Sequence, residues 1–166
     1  MSVNIIRSKD LKTYLISRNL REIVIDAENS ILGRLASLVA KLAKLGFSVH
    51  VVNVEKCVIT GKRSMVISSY KLLLNVRTHK NPYRHTMKRP RTPTAIFKKA
   101  VKNMLPKHNW LGLQSLKRVK CYIGVPEDMK NRDKIKILDT DASFLGRRNI
   151  VTVAEIAKEL GWRTRR

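Results

Sequence analysis

The residues best able to bind a ligand are concentrated in residues 56–126. This stretch has 71 residues, of which 17 are Lys or Arg and none is Asp or Glu. The other 95 residues hold 18 basic and all 12 acidic residues, so their net charge is only +6 against +17 for the stretch. Cationic side chains without competing carboxylates bind phosphates and release the condensed counterions. The stretch predicts a polyanionic partner, and nucleic acid is favoured over an anionic membrane surface.

The densest part of this stretch is residues 77–93, RTHKNPYRHTMKRPRTP. It has three Pro and no apolar periodicity, so we expect a long basic loop that becomes ordered on RNA. Arginine binds phosphate in a fork or stacks on a base, and the rings of His79, Tyr83 and His85 can stack as well.

Catalytic chemistry is poorly supported by the sequence. Two-metal nucleases need clustered carboxylates, and the basic stretch has none. Gly61-Lys62 does not belong to a phosphate-binding P-loop, because Lys56 stands where that motif needs Gly and Arg63 where it needs Ser or Thr. His50 lies in an apolar run and is predicted to be a strand residue. We therefore expect no enzyme, no cofactor and no small-molecule substrate.

The two cysteines, Cys57 and Cys121, each lie in an apolar run without the spacing of a metal motif. We expect two buried free thiols rather than a disulfide or a zinc site. The sequence has no signal-peptide core and no apolar run of 18 residues, so we expect a cytoplasmic protein that makes no membrane contact.

The best-defined elements lie in residues 22–54. Residues 22–26, EIVID, read as a buried strand, and residues 31–45 have apolar side chains at helical spacing with Asn29 or Ser30 as the N-cap. Residues 48–54 are a β-branched run. The three segments predict one β-α-β unit with parallel strands buried on both faces.

Further elements follow along the chain. A short strand is predicted at residues 56–60, then a helix opening after Gly61 that carries Met65, Ile67, Tyr70 and Leu72. Thr92 is predicted as the N-cap of a helix over residues 94–105 with Pro93 at its first position, and this helix buries Met104 among other apolar residues. A helix over residues 109–118, loosened by Gly112, precedes a strand at residues 119–123.

The two ends of the chain are predicted to extend a central body. Residues 1–20 form an extension that either docks as a short helix or becomes ordered only on a partner. Residues 21–126 form the RNA-binding core with the basic loop at residues 75–93. Residues 127–166 form a C-terminal extension, irregular around residues 141–151, with a short helix that a capping box at Thr152 starts.

Several segments resemble the universal large-subunit ribosomal protein L-thirteen family in its archaeal and eukaryotic branch. They are VIDAENSILGRLASLVAK (residues 24–41), VVNVEKCVITGKR (51–63), NMLPK (103–107), LKRVKCYIGVP (116–126) and VTVAEIAKELGW (151–162). Two segments depart from that pattern: residues 84–87 replace an expected Gly-Pro-aromatic step, and residues 107–112 follow the expected pattern only partly.

This resemblance implies an α/β fold with a small, mainly parallel sheet sandwiched between helices in three layers, α/β/α. It also implies a structural constituent of the large ribosomal subunit that binds large-subunit ribosomal RNA and neighbouring ribosomal proteins. Contacts carried over from the family are Arg34 after a turn at Gly33, Lys62, Arg63, the loop at residues 77–91, and Lys107 in the segment 104–107.

The candidate RNA-binding residues share a cationic group or a ring that can stack on a base. They are Arg34, Lys62, Arg63, Arg77, His79, Lys80, Tyr83, Arg84, His85, Lys88, Arg89, Arg91, Lys98, Lys102, Lys107, His108, Lys117, Arg118, Arg147 and Arg148. The alternatives are a free-standing RNA-binding regulator and a nucleic-acid enzyme.

Overall fold

The computed structural model describes residues 3–18, 20–77, 79–83 and 89–163. The strands are β1 (Val3–Ile6), β2 (Glu22–Asp26), β3 (Ser48–Val52), β4 (Val58–Thr60), β5 (Val119–Cys121), β6 (Lys134–Ile137) and β7 (Ile150–Thr152). The helices are α1 (Leu11–Ser17), α2 (Leu32–Lys44), α3 (Arg63–Asn75), α4 (Pro93–Met104), α5 (Trp110–Lys117), α6 (Glu127–Lys130) and α7 (Val153–Glu159). None of the helices within these ranges is long and apolar enough to cross a lipid bilayer.

A parallel sheet of five strands in the order β1-β6-β2-β3-β5 forms the centre of the fold. Strands β2 and β3 pair over their whole length, from Glu22 opposite Ser48 to Asp26 opposite Val52, with α2 as the crossover between them. This confirms the predicted β-α-β unit. Parallel strands covered on both faces need apolar residues at successive positions, which the β-branched runs supply.

The core lies mainly on one face of the sheet. Ile23 and Ile25 of β2 pack there with the apolar faces of α2, α4, α5 and α7. Val24 points to the opposite face and packs with Val52 and with Met129 of α6 in a smaller cluster. Because successive strand residues point to opposite faces, the two clusters form layers on either side of the sheet. The predicted three-layer α/β/α class is thereby confirmed, with one thick and one thin helical layer.

The N-terminal segment forms part of the sheet and the core. Strand β1 pairs in parallel with β6, from Val3 opposite Lys134 to Ile6 opposite Ile137. Helix α1 inserts Leu11 and Leu15 into the main core, where both side chains are buried. Of the two alternatives for residues 1–20, the structure shows docking, with a strand added to the expected helix.

Strand β6 comes from the C-terminal segment and lies between β1 and β2. Its residues Ile135 and Ile137 are buried in the main core, and Lys136 forms an ion pair of 3.1 Å with Asp141. Consequently the segment after residue 126 supplies an interior strand of the sheet.

The end of the chain also forms a second, two-stranded sheet. The expectation of irregular structure up to residue 151 was wrong in part, because β7 pairs antiparallel with β4, Thr60 opposite Ile150. The predicted cap is confirmed: the Thr152 hydroxyl accepts a hydrogen bond of 3.2 Å from the Glu155 amide at the start of α7. The residues of β4 that pair with β7 lie 90 to 94 residues earlier in the chain, and short-range patterns contain no information about them.

Two local predictions need correction. The N-cap of α2 is Ile31, because Asn29 adopts a left-handed backbone (φ 57°) and its side-chain amide donates instead to Asp141. Met104 is 45% exposed, and the next residue, Leu105, is buried in its place. Met65 and Leu72 lie on the outer face of α3, whereas Ile67 on the inner face is buried.

Helix α5 is held close to the segment that precedes it. A β-carbon at Gly112 would lie 2.0 Å from the carbonyl oxygen of Pro106, so only glycine permits this approach. Gly112 therefore has a packing role that the prediction of a loosened helix did not include, because its missing side chain allows α5 to approach Pro106.

Candidate nucleic-acid interface

Within the basic stretch, α4 presents a row of cations to solvent. Thr92 caps this helix by accepting a hydrogen bond of 3.3 Å from the Ala95 amide, and Pro93 occupies its first turn, as predicted. Ile96, Phe97 and Val101 are buried against the body, so Lys98, Lys99 and Lys102 are exposed. The local sequence thus orients the helix with its cations outward.

Two cavities flank α4. One, of about 230 Å³, lies between α3 and α4 and is lined by Tyr70, Leu74, Arg89, Pro90, Ile96, Lys99, Ala100 and Asn103. The other, of about 410 Å³, lies between α4 and α5 and is lined by Lys99, Lys102, Asn103, Leu105, Pro106, Lys107, His108, Gly112, Leu113 and Leu116. Lys99 and Asn103, one helical turn apart, line both cavities and form the ridge between them.

Most of the described candidate residues are exposed to solvent. The exposed ones are Arg34, Lys62, Arg63, Arg77, His79, Lys80, Tyr83, Arg91, Lys98, Lys102, Lys107, His108, Lys117, Arg147 and Arg148. Arg89 and Arg118 are half-buried. The remaining candidates, Arg84, His85 and Lys88, lie outside the described residues.

The structure brings some of these residues together and separates others. Lys102, Lys107 and His108 line the α4–α5 cavity, and Arg89 lines the α3–α4 cavity. Arg34, Arg147 and Arg148 line neither of the two. Gly33 belongs to α2, so the turn expected before Arg34 does not occur.

The start of α3 has two neighbouring cations in different environments. Lys62 is the N-cap residue, and its side chain is exposed. Arg63 forms ion pairs with Glu155 at 3.9 Å and Glu159 at 3.4 Å, both on α7. Lys71, two turns further along α3, also approaches Glu159, at 2.8 Å, and its hydrogen bond lowers the pKa of that carboxyl. A phosphate at this end of α3 would compete with α7 for Arg63.

In the basic loop, the described residues include one ring contact. The guanidinium of Arg77 lies 5.7 Å from the centroid of the Tyr83 ring, within the range of a cation–π interaction. Tyr83 itself is 86% exposed, and the larger part of its ring surface is open for stacking.

The histidine in the sheet is not part of this surface. His50 is buried in β3 and stacks on Tyr122 with ring centroids 5.9 Å apart. Burial, reinforced by Lys120, holds the pKa of His50 below its usual value. The prediction of a structural strand residue is confirmed.

The thiols are unsuited to nucleophilic or metal chemistry. Cys57 is buried and donates to the Ser30 carbonyl at 3.0 Å, whereas Cys121 is half-buried, so the expectation of two fully buried thiols holds for one. Burial raises the pKa of each thiol to about 12, which keeps it protonated. Within the part of the chain that the structure describes, no group of three His, Cys, Asp or Glu is placed to hold a metal ion.

Three residues of this surface were not among the sequence candidates: Lys99, Asn103 and Trp110. Their exposure follows from the rotational phase of α4 and α5 on the body. For Lys99 and Asn103 the apolar periodicity of residues 94–105 was a usable signal, because it places both residues on the exposed side of the helix. For Trp110, which is 67% exposed, no sequence signal separates a surface ring from a core ring.

The fold is a parallel α/β body, and its stretch 56–126 carries 17 cations and no carboxylate, which defines a class of proteins suited to bind a polyanion. Comparison with known proteins narrows that class. The profile of the family described as Ribosomal protein L13 matches residues 20–128. The chain is also 49% identical to the large ribosomal subunit protein uL13 of Saccharolobus solfataricus, over 84% of this chain and 93% of that protein.

Two further relatives agree. The chain is 45% identical to the uL13 protein of Sulfolobus acidocaldarius (84% of this chain, 93% of that protein) and 43% identical to that of Aeropyrum pernix (86% and 92%). The chain belongs to the ribosomal protein L13 family.

Proposed function

We propose that the chain is a structural, non-catalytic constituent of the large ribosomal subunit that binds and stabilises ribosomal RNA, in the cytoplasm. The family and the names of its relatives support the place in the large subunit. They give no support to a free-standing regulator. The observation that carries RNA binding is the stretch of residues 56–126, whose sequence holds 17 cations and no carboxylate.

The contact surface that we propose consists of the basic loop, the start of α3 and the outer side of α4 and α5. The body positions the helices rigidly through the buried face of α4, and the loop closes over RNA. Pro82 and Pro90 restrict the loop before binding, which lowers the entropy lost when it becomes ordered. Phosphate contacts fix position, and rings such as Tyr83 stack on exposed bases.

Neighbouring ribosomal proteins are the second class of partner that we propose. The outer face of α3 carries Met65 and Leu72, which are 69% and 68% exposed. Burying such side chains against a protein neighbour removes apolar surface from water and contributes to binding.

The test of RNA binding replaces residues 77–91 by a Gly-Ser segment of equal length, which removes six Lys or Arg. Its matched control replaces six exposed cations outside the basic stretch by Gln: Arg7, Lys9, Lys12, Arg21, Lys41 and Lys44. Affinity for large-subunit ribosomal RNA is measured by filter binding between low and moderate salt.

We expect the loop variant to lose most of its affinity for ribosomal RNA. The slope of log affinity against log salt should become shallower by up to about 5, because each lost phosphate contact removes about 0.9 from it. The control variant should keep most of the affinity, and both should unfold thermally near the wild-type temperature. An equal loss in both variants would mean that net charge alone attracts RNA, and a wild-type chain without affinity for ribosomal RNA would refute the proposed function.

A further inference from the structure

The cavity between α4 and α5 combines an apolar floor with a cationic rim. Leu105, Leu113 and Leu116 contribute apolar side chains to it, and Lys99, Lys102 and Lys107 contribute ammonium groups. Its volume of about 410 Å³ lies within the range of sites that hold a small molecule or one group of a larger ligand. The close approach of α5 to Pro106, which Gly112 allows, builds the wall of this cavity.

An exposed ring stands beside the cavity. Trp110 begins α5 and is 67% exposed, although an indole is normally buried over most of its surface. Leu113, which lines the cavity, follows Trp110 by three residues, so the two side chains are neighbours on the helix surface. Leu113 is itself 53% exposed, and the two residues together form an apolar rim.

The ligand that fits must be anionic and must also present a flat apolar face. The sequence around the cavity, from residue 56 to residue 126, has no carboxylate to neutralise the three lysines. A phosphate satisfies the lysines, and a nucleobase satisfies the leucines and the indole, since every base has a π-face for stacking. Asn103, on the ridge of the cavity, has an amide that can donate to and accept from the edge of a base.

A base inside a duplex does not offer that face. In helical RNA the base faces are stacked on one another, and only unpaired nucleotides in loops and bulges can be splayed onto a protein ring. We propose that the α4–α5 cavity captures one unpaired nucleotide of RNA, with its phosphate on Lys99, Lys102 and Lys107 and its base against Leu113 and Trp110. This inference rests on the proposed function and adds that the nucleotide recognised at this cavity is unpaired.

The test is chemical probing of the Watson–Crick edges of large-subunit ribosomal RNA bound to the full-length chain. The variants are Trp110→Ala and, as a matched control, Phe144→Ala, which removes another exposed ring (56%) outside the basic stretch. A second comparison uses the double variant Lys99→Gln/Lys102→Gln, with Lys41→Gln/Lys44→Gln as its matched control. In each double variant the two lysines are exposed and lie three residues apart on a helix. All six replaced residues are on the surface, and thermal unfolding checks that each variant is folded.

We expect the wild type and both controls to protect one unpaired nucleotide that becomes reactive in Trp110→Ala, while the rest of the footprint is unchanged. The affinity of Trp110→Ala should fall about tenfold, the usual effect of losing one stacked base. The variant Lys99→Gln/Lys102→Gln should protect the same nucleotide less well than the wild type, and the variant Lys41→Gln/Lys44→Gln should protect it as well as the wild type.

The inference is overturned if Trp110→Ala leaves the footprint and the affinity as in the wild type. If that variant then fails to enter large subunits, the rim belongs to a protein neighbour instead. A wild-type chain that leaves no footprint at all would refute the proposed function as a whole, which distinguishes the two failures.

Discussion

The guanidinium of Arg63 lies 3.4 Å from the carboxylate of Glu159, which is 96 residues further along the chain. Arg63 starts α3 and Glu159 ends α7, so the pair ties the beginning of the basic stretch to the last helix. Both side chains are partly exposed, so solvent screens the pair and its contribution to stability is small. The larger consequence concerns RNA binding, since this cation already has a carboxylate partner.

We expect Lys62→Gln to weaken RNA binding more than Arg63→Gln. Arg63 must give up its carboxylates before it binds phosphate, whereas Lys62 has no carboxylate within ion-pair distance among the described residues. The salt slope should fall by about one unit for Lys62→Gln and by less for Arg63→Gln. Fluorescence anisotropy with labelled ribosomal RNA measures both. A loss in Arg63→Gln as large as that in Lys62→Gln would show that the ion pair opens freely.

The N-terminal helix should contribute to the stability of the body. Leu15 is fully buried, and Leu15→Ala is expected to lower the free energy of unfolding by about 2–5 kcal/mol. Its neighbour Ile16 is 73% exposed, and Ile16→Ala should change stability by no more than about 0.5 kcal/mol. Urea unfolding followed by circular dichroism measures both. If the two variants were equally stable, α1 would not be docked in solution.

Two glycines in helices should respond to alanine in opposite directions. Gly112→Ala places a methyl group against the Pro106 carbonyl and is expected to destabilise the chain by about 1–3 kcal/mol. Gly33→Ala meets nothing within 4 Å and should stabilise α2 by up to about 1 kcal/mol, through helix propensity. Differential scanning calorimetry gives the sign of each change. Stabilisation in Gly112→Ala would contradict the close approach of α5.

Stability should fall as the pH drops below about 6.5, the ordinary pKa of histidine. Burial in the sheet lowers the pKa of His50, and the charges facing it are Lys120, Glu22 and Arg132, with Tyr122 stacked on the ring. Between pH 6.5 and the lower pKa of the native state, His50 therefore binds a proton in the unfolded chain but not in the native one. Over this range the free energy of unfolding falls as the pH falls, by at most about 1.4 kcal/mol per pH unit.

The variant His50→Phe keeps a ring on Tyr122 and removes this titration. Its free energy of unfolding is measured by urea denaturation at pH 7.5, 6.5 and 5.5. This free energy should fall less steeply with decreasing pH than that of the wild type, because the contribution of His50 is removed. An unchanged slope between wild type and variant would mean that His50 titrates equally in both states.

Several features could be predicted because their causes are local. The Thr92 and Thr152 caps depend on a hydroxyl and an amide three residues apart, and both are present. The β-α-β unit follows from hydrophobic periodicity and short connections. The Asn29 or Ser30 cap was wrong because Asp141, far along the chain, holds both residues ahead of the helix: it accepts from the Asn29 amide and forms a β-bridge with Ser30.

The sequence by itself determined the β-α-β unit, most helix starts and the acid-free stretch, since propensity, periodicity and charge act over a few residues. Only the tertiary structure decided that β6 lies between β1 and β2, that Arg63 pairs with Glu159, and that Lys99 and Asn103 separate two cavities. The parallel pairing of β6 joins it to β1 and β2, which lie more than 100 residues earlier in the chain, and which side of a helix faces solvent depends on its neighbours. The order of the strands and the exposed side of each helix are set by the burial of the whole core, to which every segment contributes.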